Sequence, residues 1–394
     1  MGVKFAKRIE NLVPSGIRRV NERALALERE GKKVCHFELG RPDFDTPEYI
    51  KKAGIKAIED GDVFYTSNFG KLNLREAVAK YLSEKKHIPV AGENILITVG
   101  LAEAIFDVLA VLLEEGDEIL VPDPVWMNYV NIPKLLGAKP IKYDLSEDND
   151  YQPDMSAFEE RLTDRTKAVV IVSPHNPTGS MLSADTLKRI ADIAKKHDLT
   201  VISDEIYERL TYGENGHISI ASLPDMAERT VTLNGFSKAY SMTGWRIGYV
   251  AASKEWISAL NKIHQVNTTS AASFTQTAAI EALCGENDEV ERMREEYRIR
   301  RDYAVKSINQ IKGLSCKVPE GAFYIFINVK ALPVSEEKFA EYLLENYQVA
   351  MVPGTVFGEN GRGYLRMSFA SGIEELKEGL SKLERAAEKI FVDK

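Results

Sequence analysis

From residue 94 to residue 252 the chain alternates two hydrophobic patterns. Short runs with few polar residues read as strands: NILITV (94–99), DEILVP (117–122), KPIKYDL (139–145), KAVVIVSP (167–174), LTVISDE (199–205), TVTLNG (230–235) and RIGYVAA (246–252). Between most of them lie stretches with helical apolar spacing: AEAIFDVLAVLLEEG, ending at Gly116, MNYVNIPKLLG, DMSAFEERL with Asp154 as a cap, and SADTLKRIADIAKKHD with Ser183 as a cap. Near-continuous apolar strands separated by helices predict a mostly parallel sheet covered on both faces, an α/β fold. After Ser253 the pattern changes. A helical region runs to Ile311 with a break near CGEND (284–288). Then come AFYIFINV, the helix EEKFAEYLLENY, VAMVP, GYLRMSFA and a final helix from Ile373. Short strands with two helices predict a smaller α+β domain. KVCHFELG (33–40) either joins that domain or leads into the large one. The expected division is a large domain over 46–284, with 1–45 and 285–394 together forming the small one.

Composition narrows the class. With 394 residues, 44% apolar and 28% charged, the chain is long enough to bury a large core without staples. Its three scattered cysteines show no metal-ligand spacing and fit a reducing cytoplasm. A net charge of -8 argues against nucleic acid, and no apolar run reaches the length of a membrane span. The basic run REEYRIRRD (294–302) is interleaved with acids and reads as a solvated helix face.

Ligands in open α/β sheets bind beyond the carboxyl ends of the strands. Four such ends carry GLAEA (100–104), SPHNPTG (173–179), DEIYE (204–208) and NGFSK (234–238). They bring a helix N-terminus, an asparagine, an acid and a lysine to one rim. Taken alone, Lys238 reads equally as a reactive amine or a snorkelling one, and Asp204 as a cap. Taken together, they suit pyridoxal phosphate. Lys238 would form the Schiff base and Asp204 would face the pyridine nitrogen. Asn176 and Tyr207 would bond the phenolic oxygen. The backbone of Leu101 and Ala102, with Arg246 and Ser237, would hold the phosphate. Trp126 would stack on the ring. No metal is called for.

GFSKAYSMTGWRIG (235–248) resembles the lysine signature of class I aminotransferases, fold type I pyridoxal-phosphate enzymes of the aspartate aminotransferase group. The resemblance extends through GRPDFDTP (40–47), YTSNFGKLNLREAV (65–78), NPTG (176–179), SDEIYE (203–208), EGAFYIF (320–326), VPGTVFG (352–358) and YLRMSFA (364–370). It implies a homodimer with shared active sites, in which Tyr65 reaches the neighbouring subunit's cofactor phosphate. It further implies that Arg366 clamps the substrate α-carboxylate, helped by Asn176 and the backbone of Gly40. Ping-pong transfer of an amino group to an oxo acid such as 2-oxoglutarate follows, with aspartate or aromatic donors favoured. C–S β-elimination on the same cofactor is the competing reaction, and a non-catalytic sensing module is a third reading. Two features stand apart. Gly235 occupies a position where some members carry a phosphate-touching serine. Pro14–Ser15–Gly16 resembles an N-terminal stretch that closes over substrate. YTSNFGKLNL (65–74) and VWMNYVN (125–131) are expected to line the substrate pocket.

Overall fold

The computed structural model describes residues 3–10, 12–213, 216–285 and 288–392. The strands are β1 (Cys35–His36), β2 (Ile95–Thr98), β3 (Glu118–Asp123), β4 (Lys139–Asp144), β5 (Thr166–Val172), β6 (Thr200–Asp204), β7 (Thr230–Gly235), β8 (Gly248–Ala251), β9 (Tyr324–Asn328), β10 (Val349–Ala350), β11 (Val352–Pro353) and β12 (Tyr364–Ser368). The helices are α1 (Gly16–Arg29), α2 (Glu48–Glu59), α3 (Leu72–Lys86), α4 (Leu101–Leu112), α5 (Asn128–Leu135), α6 (Met155–Glu160), α7 (Ala184–Lys196), α8 (Lys254–Asn267), α9 (Ser273–Cys284), α10 (Asp288–Ile308), α11 (Glu336–Tyr347) and α12 (Ile373–Val392).

Seven strands form the principal sheet in the order β2-β8-β7-β6-β5-β3-β4. It is parallel except for β8, which runs antiparallel to both neighbours. Because successive side chains point to opposite faces of a strand, each central strand feeds two cores. Leu120, Val169, Ile171 and Val201 enter one. Ile119, Val121, Val170, Ile202, Val231 and Leu233 enter the other. This two-sided burial is why the strands read as unbroken apolar runs. Burial of each large aliphatic side chain contributes about 1.5–3 kcal/mol.

β9, β11 and β12 form a three-stranded antiparallel sheet, and β1 pairs in parallel with β10. KVCHFELG therefore joins the C-terminal elements. Cys35 and Phe37 pack in one core with residues of α10, α11, α12 and β9, and that core also takes in Ile206, Tyr207, Leu210 and Tyr212 from the loop after β6. Among the described residues, no helix is long and apolar enough to cross a membrane.

Several boundaries depart from the periodicity. α4 stops at Leu112 rather than at Gly116, because Leu113 is extended and a turn follows in which Asp117 Oδ2 accepts from the Glu114 amide at 2.9 Å. The helical region after Ser253 divides into three helices. The expected break near CGEND falls between α9 and α10, with residues 286–287 outside the described residues. A second break at 268–272 has no glycine or proline to announce it. The Asp154 and Ser183 caps form, accepting from Ser156 and Thr186 amides at 2.9 and 3.1 Å. Such caps stabilise a helix by about 1 kcal/mol.

REEYRIRRD is not simply a solvated face. Met293, Tyr297, Arg300, Ala304 and Ile308 form the buried side of α10 at helical spacing. Arg300 is buried, bonds both oxygens of Asp43 at 2.8 Å, and lies over the rings of Phe44 and Tyr297. It thereby ties the GRPDFD segment to α10.

Candidate active site

Sheet register decides which residues meet. Val172 of β5 is aligned with Asp204 of β6, and Asp204 with Leu233 of β7. The segments leaving these strands therefore rise side by side, carrying Asn176, Asp204–Tyr207 and Ser237–Lys238. On the far side, Gly248 of β8 pairs with both Gly235 of β7 and Thr98 of β2. That brings Arg246, just ahead of β8, to the start of α4.

Lys238 is held with its Nζ donating to the Gly40 carbonyl at 2.6 Å. Burial, with Arg366 and Arg246 nearby, pushes its amine down to about 8, although Asp204 opposes the shift. Asp204 is buried at the end of β6. Its Oδ2 accepts from the Tyr129 hydroxyl at 2.8 Å and its Oδ1 from the Ile206 amide at 3.2 Å. Burial pushes it up to about 6, against the pull of those two bonds and of Lys238. No helix starts directly after β6, so Asp204 is not the helix cap its strand-end position suggested; its Ile206 contact closes a turn, and the Tyr129 bond adds a second constraint.

Arg366 stands on β12 and is 1% exposed. It donates to Asn176 Oδ1 at 3.2 Å and to the Glu38 carbonyl, and lies over the rings of Tyr324 and Phe357 at 4.5 and 4.8 Å. Its Nε is buried without a partner. Among the described residues neither Arg366 nor Lys238 has a carboxylate ion-pair partner. An unpaired buried cation is costly, so Arg366 is poised for an anion that is not part of the fold; the half-buried Lys238 answers with a lowered pKa instead.

At the other end of the rim, Gly100 caps α4 with φ 72° and no side-chain cap, leaving the first-turn amides of Leu101 and Ala102 to be met by a ligand. A Cβ on Gly100 would fall on the Arg246 guanidinium, and one on Gly248 would lie 3.2 Å from the Leu101 nitrogen. Backbone, guanidinium and helix start are thus packed as an anion cradle. Gly235 also has a physical reason. A side chain there would sit 2.8 Å from the Gly248 Cα and 3.1 Å from the Ile247 carbonyl. The close approach of β7 and β8 leaves no room for a serine. Ser237 is buried beside Lys238.

These donors fit pyridoxal phosphate: an amine of lowered pKa, a carboxylate on the same rim, a hydroxyl and an amide from Tyr207 and Asn176, and a cradle for a dianion. Trp126 is half-buried just after β3, packed against both faces' cores. Tyr65 is not brought to this rim within the chain; it projects outward, 88% exposed, next to Phe64 at 80%. Of the two expected pocket stretches, VWMNYVN reaches the site through Tyr129. Residues of YTSNFGKLNL instead line an outer groove with Gly61, Asp62 and Glu76. Pro14–Gly16 lies beside Met127, Lys142 and Phe357, with Ser15 capping α1.

Two contributors were not singled out from sequence. Tyr129 had a signal: it lies within VWMNYVN, three residues after Trp126 in the segment that follows β3. Tyr324 bonds the Tyr207 hydroxyl at 2.8 Å. It was hidden in an apolar run, where an aromatic residue reads as core.

Residues 32–383 match the family described as aminotransferase class I and II. The chain is 40% identical to an aspartate aminotransferase of Pyrococcus horikoshii over 386 residues, 98% of this chain and 97% of the relative. It is 39% identical to aromatic-amino-acid aminotransferase 2 of Thermococcus litoralis, covering 97% of each. The structure of an aspartate aminotransferase from Thermus thermophilus with maleate superposes with a TM-score of 0.93 at 36% identity, covering 98% of this chain and 100% of that one.

Proposed function

Since the chain belongs to the class I and II aminotransferases, we propose that it moves the α-amino group of an aspartate-like or aromatic amino acid to 2-oxoglutarate at the Lys238 rim. The observation that carries this reading is the convergence on one rim of a half-buried amine of lowered pKa, Lys238, and a fully buried guanidinium, Arg366, neither with a carboxylate ion-pair partner among the described residues. The names of the relatives support the two donor classes.

Pyridoxal phosphate, when bound, supplies an electron sink for charge developing at the substrate α-carbon and carries the amino group between half-reactions. Lys238 anchors it and then takes and returns the α proton. An amine near pKa 8 is suited to both tasks at neutral pH. Asp204 keeps a proton on the ring nitrogen. Asn176 and Tyr207 hold the phenolic oxygen, and Trp126 covers the ring. Leu101, Ala102, Ser237 and Arg246 hold the phosphate. Arg366 grips the α-carboxylate with its planar fork, aided by Asn176 and the Gly40 segment.

The working unit is a homodimer in which Tyr65 reaches the partner's phosphate site. Support comes from the exposed large apolar side chains of this region, Phe64, Tyr65 and Leu72 and, on α2, Ile55 and Ile58. Residues 46–284 act as the cofactor-binding unit, and 1–45 with 285–394 as the unit that carries Arg366. Pro14–Gly16 closes over the substrate. The free cysteines Cys35, Cys284 and Cys316 suit a reducing cytoplasm.

Protein purified with pyridoxal phosphate is expected to be yellow. In a donor screen it should convert amino acid to oxo acid only when 2-oxoglutarate is supplied. Release of pyruvate and ammonia without an acceptor would make it a β-lyase instead. Arg366→Lys is expected to raise KM for donor and oxo acid by about ten- to a hundredfold and to lower kcat, because lysine keeps the charge but loses the fork. Its melting temperature should also fall by a few degrees, since a single nitrogen cannot span the two directions in which the guanidinium reaches Asn176 and the Glu38 carbonyl or keep its stacking on Tyr324 and Phe357. A loss of stability with unchanged KM would assign Arg366 to structure alone.

A further inference from the structure

Tyr324 opens β9, is fully buried, and pairs with Ser368 in the ladder. Since Phe326 pairs with Arg366, Tyr324 and Arg366 share one face of the small sheet, two positions apart. The guanidinium lies over the Tyr324 ring at 4.5 Å. The hydroxyl does two things. It bonds the Tyr207 hydroxyl at 2.8 Å, and it occupies the space a Cβ on Gly40 would need. Gly40 is the residue whose carbonyl holds Lys238. Tyr324 thus touches the carboxylate clamp through its ring face, and Tyr207 and the lysine anchor through its oxygen.

We propose that Tyr324 is a positioning residue that acts through Tyr207, donating its proton to the Tyr207 oxygen so that Tyr207 donates outward to the cofactor's phenolic oxygen. The proposal rests on the pyridoxal-phosphate reading of the rim. A hydroxyl has one proton to give. If Tyr207 spends it outward, its oxygen is free to accept, and Tyr324 is the hydroxyl in reach. No proton changes owner; only the direction of donation is set. A donor that itself accepts a hydrogen bond is a stronger donor. Burial pushes the Tyr324 hydroxyl up, and the Arg366 cation over its ring, with the Tyr207 bond, opposes that shift; the cation thereby keeps the hydroxyl a better donor than burial alone would leave it. A substrate carboxylate neutralising Arg366 would weaken the chain. The clamp and the Lys238 centre are thereby coupled through two tyrosines.

The sign is fixed by charge. Strong donation to the phenolic oxygen stabilises negative charge there and loosens the proton shared with the Lys238 nitrogen. Weakening it holds that proton to higher pH. The charged and titratable groups around this centre are Arg366, Arg246 and Asp204 facing Lys238, with Tyr324, Arg366 and Asp204 facing Tyr207.

The test is a pH titration of the visible absorbance of the resting holoenzyme, made with Tyr324→Phe, Tyr207→Phe and the double variant. Tyr324→Phe should raise the midpoint by roughly 0.3–1 pH unit. It should lower kcat about three- to tenfold, with KM within about twofold, because the ring under Arg366 remains. In the Tyr207→Phe background the same change should move the midpoint by less than about 0.2 unit, since the route runs through that hydroxyl. An unshifted midpoint in Tyr324→Phe, or an equal shift in both backgrounds, overturns the inference while leaving the transaminase reading intact. A parent protein that shows no visible band with pyridoxal phosphate overturns both.

Discussion

Lys238→Ala is expected to reduce transamination by at least about 10⁴-fold while the protein still takes up pyridoxal phosphate. On the proposed mechanism two roles are lost together: the covalent anchor, and the group that moves the α proton, the latter alone typically worth about 10²–10⁴. Uptake should persist because the Gly100 cradle, Arg246 and the rim around Asp204 do not depend on the amine. The bound cofactor should then be removable by dialysis. Stability supplies a second readout. The folded-state amine is lowered from 10.5 to about 8, so the native state binds fewer protons than the unfolded chain between those values. Cofactor-free parent should therefore gain stability as pH rises from about 8 toward 10.5, and Lys238→Ala should lose that pH dependence. Parent-like turnover in this variant, measured after removal of free cofactor, would place the reactive amine elsewhere.

Asp204→Asn separates two readings of one side chain. Asparagine can accept from the Ile206 amide and donate to the Tyr129 oxygen, so the turn after β6 survives. It cannot hold a proton on a pyridine nitrogen, and kcat is expected to fall about a hundredfold or more. The cofactor-free variant should at the same time be more stable than the parent at pH 8. The folded carboxyl is raised to about 6, so its ionisation opposes folding, progressively as pH rises from about 4 through 6. Removing the charge should recover roughly 1–3 kcal/mol. Slow turnover with a higher melting temperature is the signature of a charge kept for chemistry at the expense of stability. Near-normal turnover would reduce Asp204 to a turn residue.

The principal sheet was legible because its strands are buried on both faces and carry little polar interruption. The rim followed from that, since residues after aligned strand ends must rise together. What periodicity could not show was long-range contact. Arg300 reads as surface charge in REEYRIRRD until Met293, Tyr297 and Ala304 are placed on the same helical side, and even then its partner Asp43 lies 257 residues away. Tyr324 was invisible for a different reason: an aromatic residue in an apolar strand fits a core, and only the meeting of β9 with the loop after β6 gives its hydroxyl a task. Gly235 looked like a missing contact because the antiparallel entry of β8, which forbids a side chain there, has no marker in the chain.

The connection of Arg366 to the Glu38 carbonyl, spanning 328 residues, has a consequence for biosynthesis. All seven strands of the principal sheet have been made once residue 251 has been added, whereas the elements flanking the Gly40 segment, α10 and β12, come from the last third of the chain. Translation at roughly 5–20 residues per second separates these events by several seconds at least. During that interval a nascent chain can hold the completed sheet with Lys238 and Asp204 on its rim, while the peptide bearing Gly40 has neither Arg300 nor Arg366 to fasten it. Competence therefore arrives as a late, high-contact-order step, distinct in time from the folding of the sheet that displays the lysine.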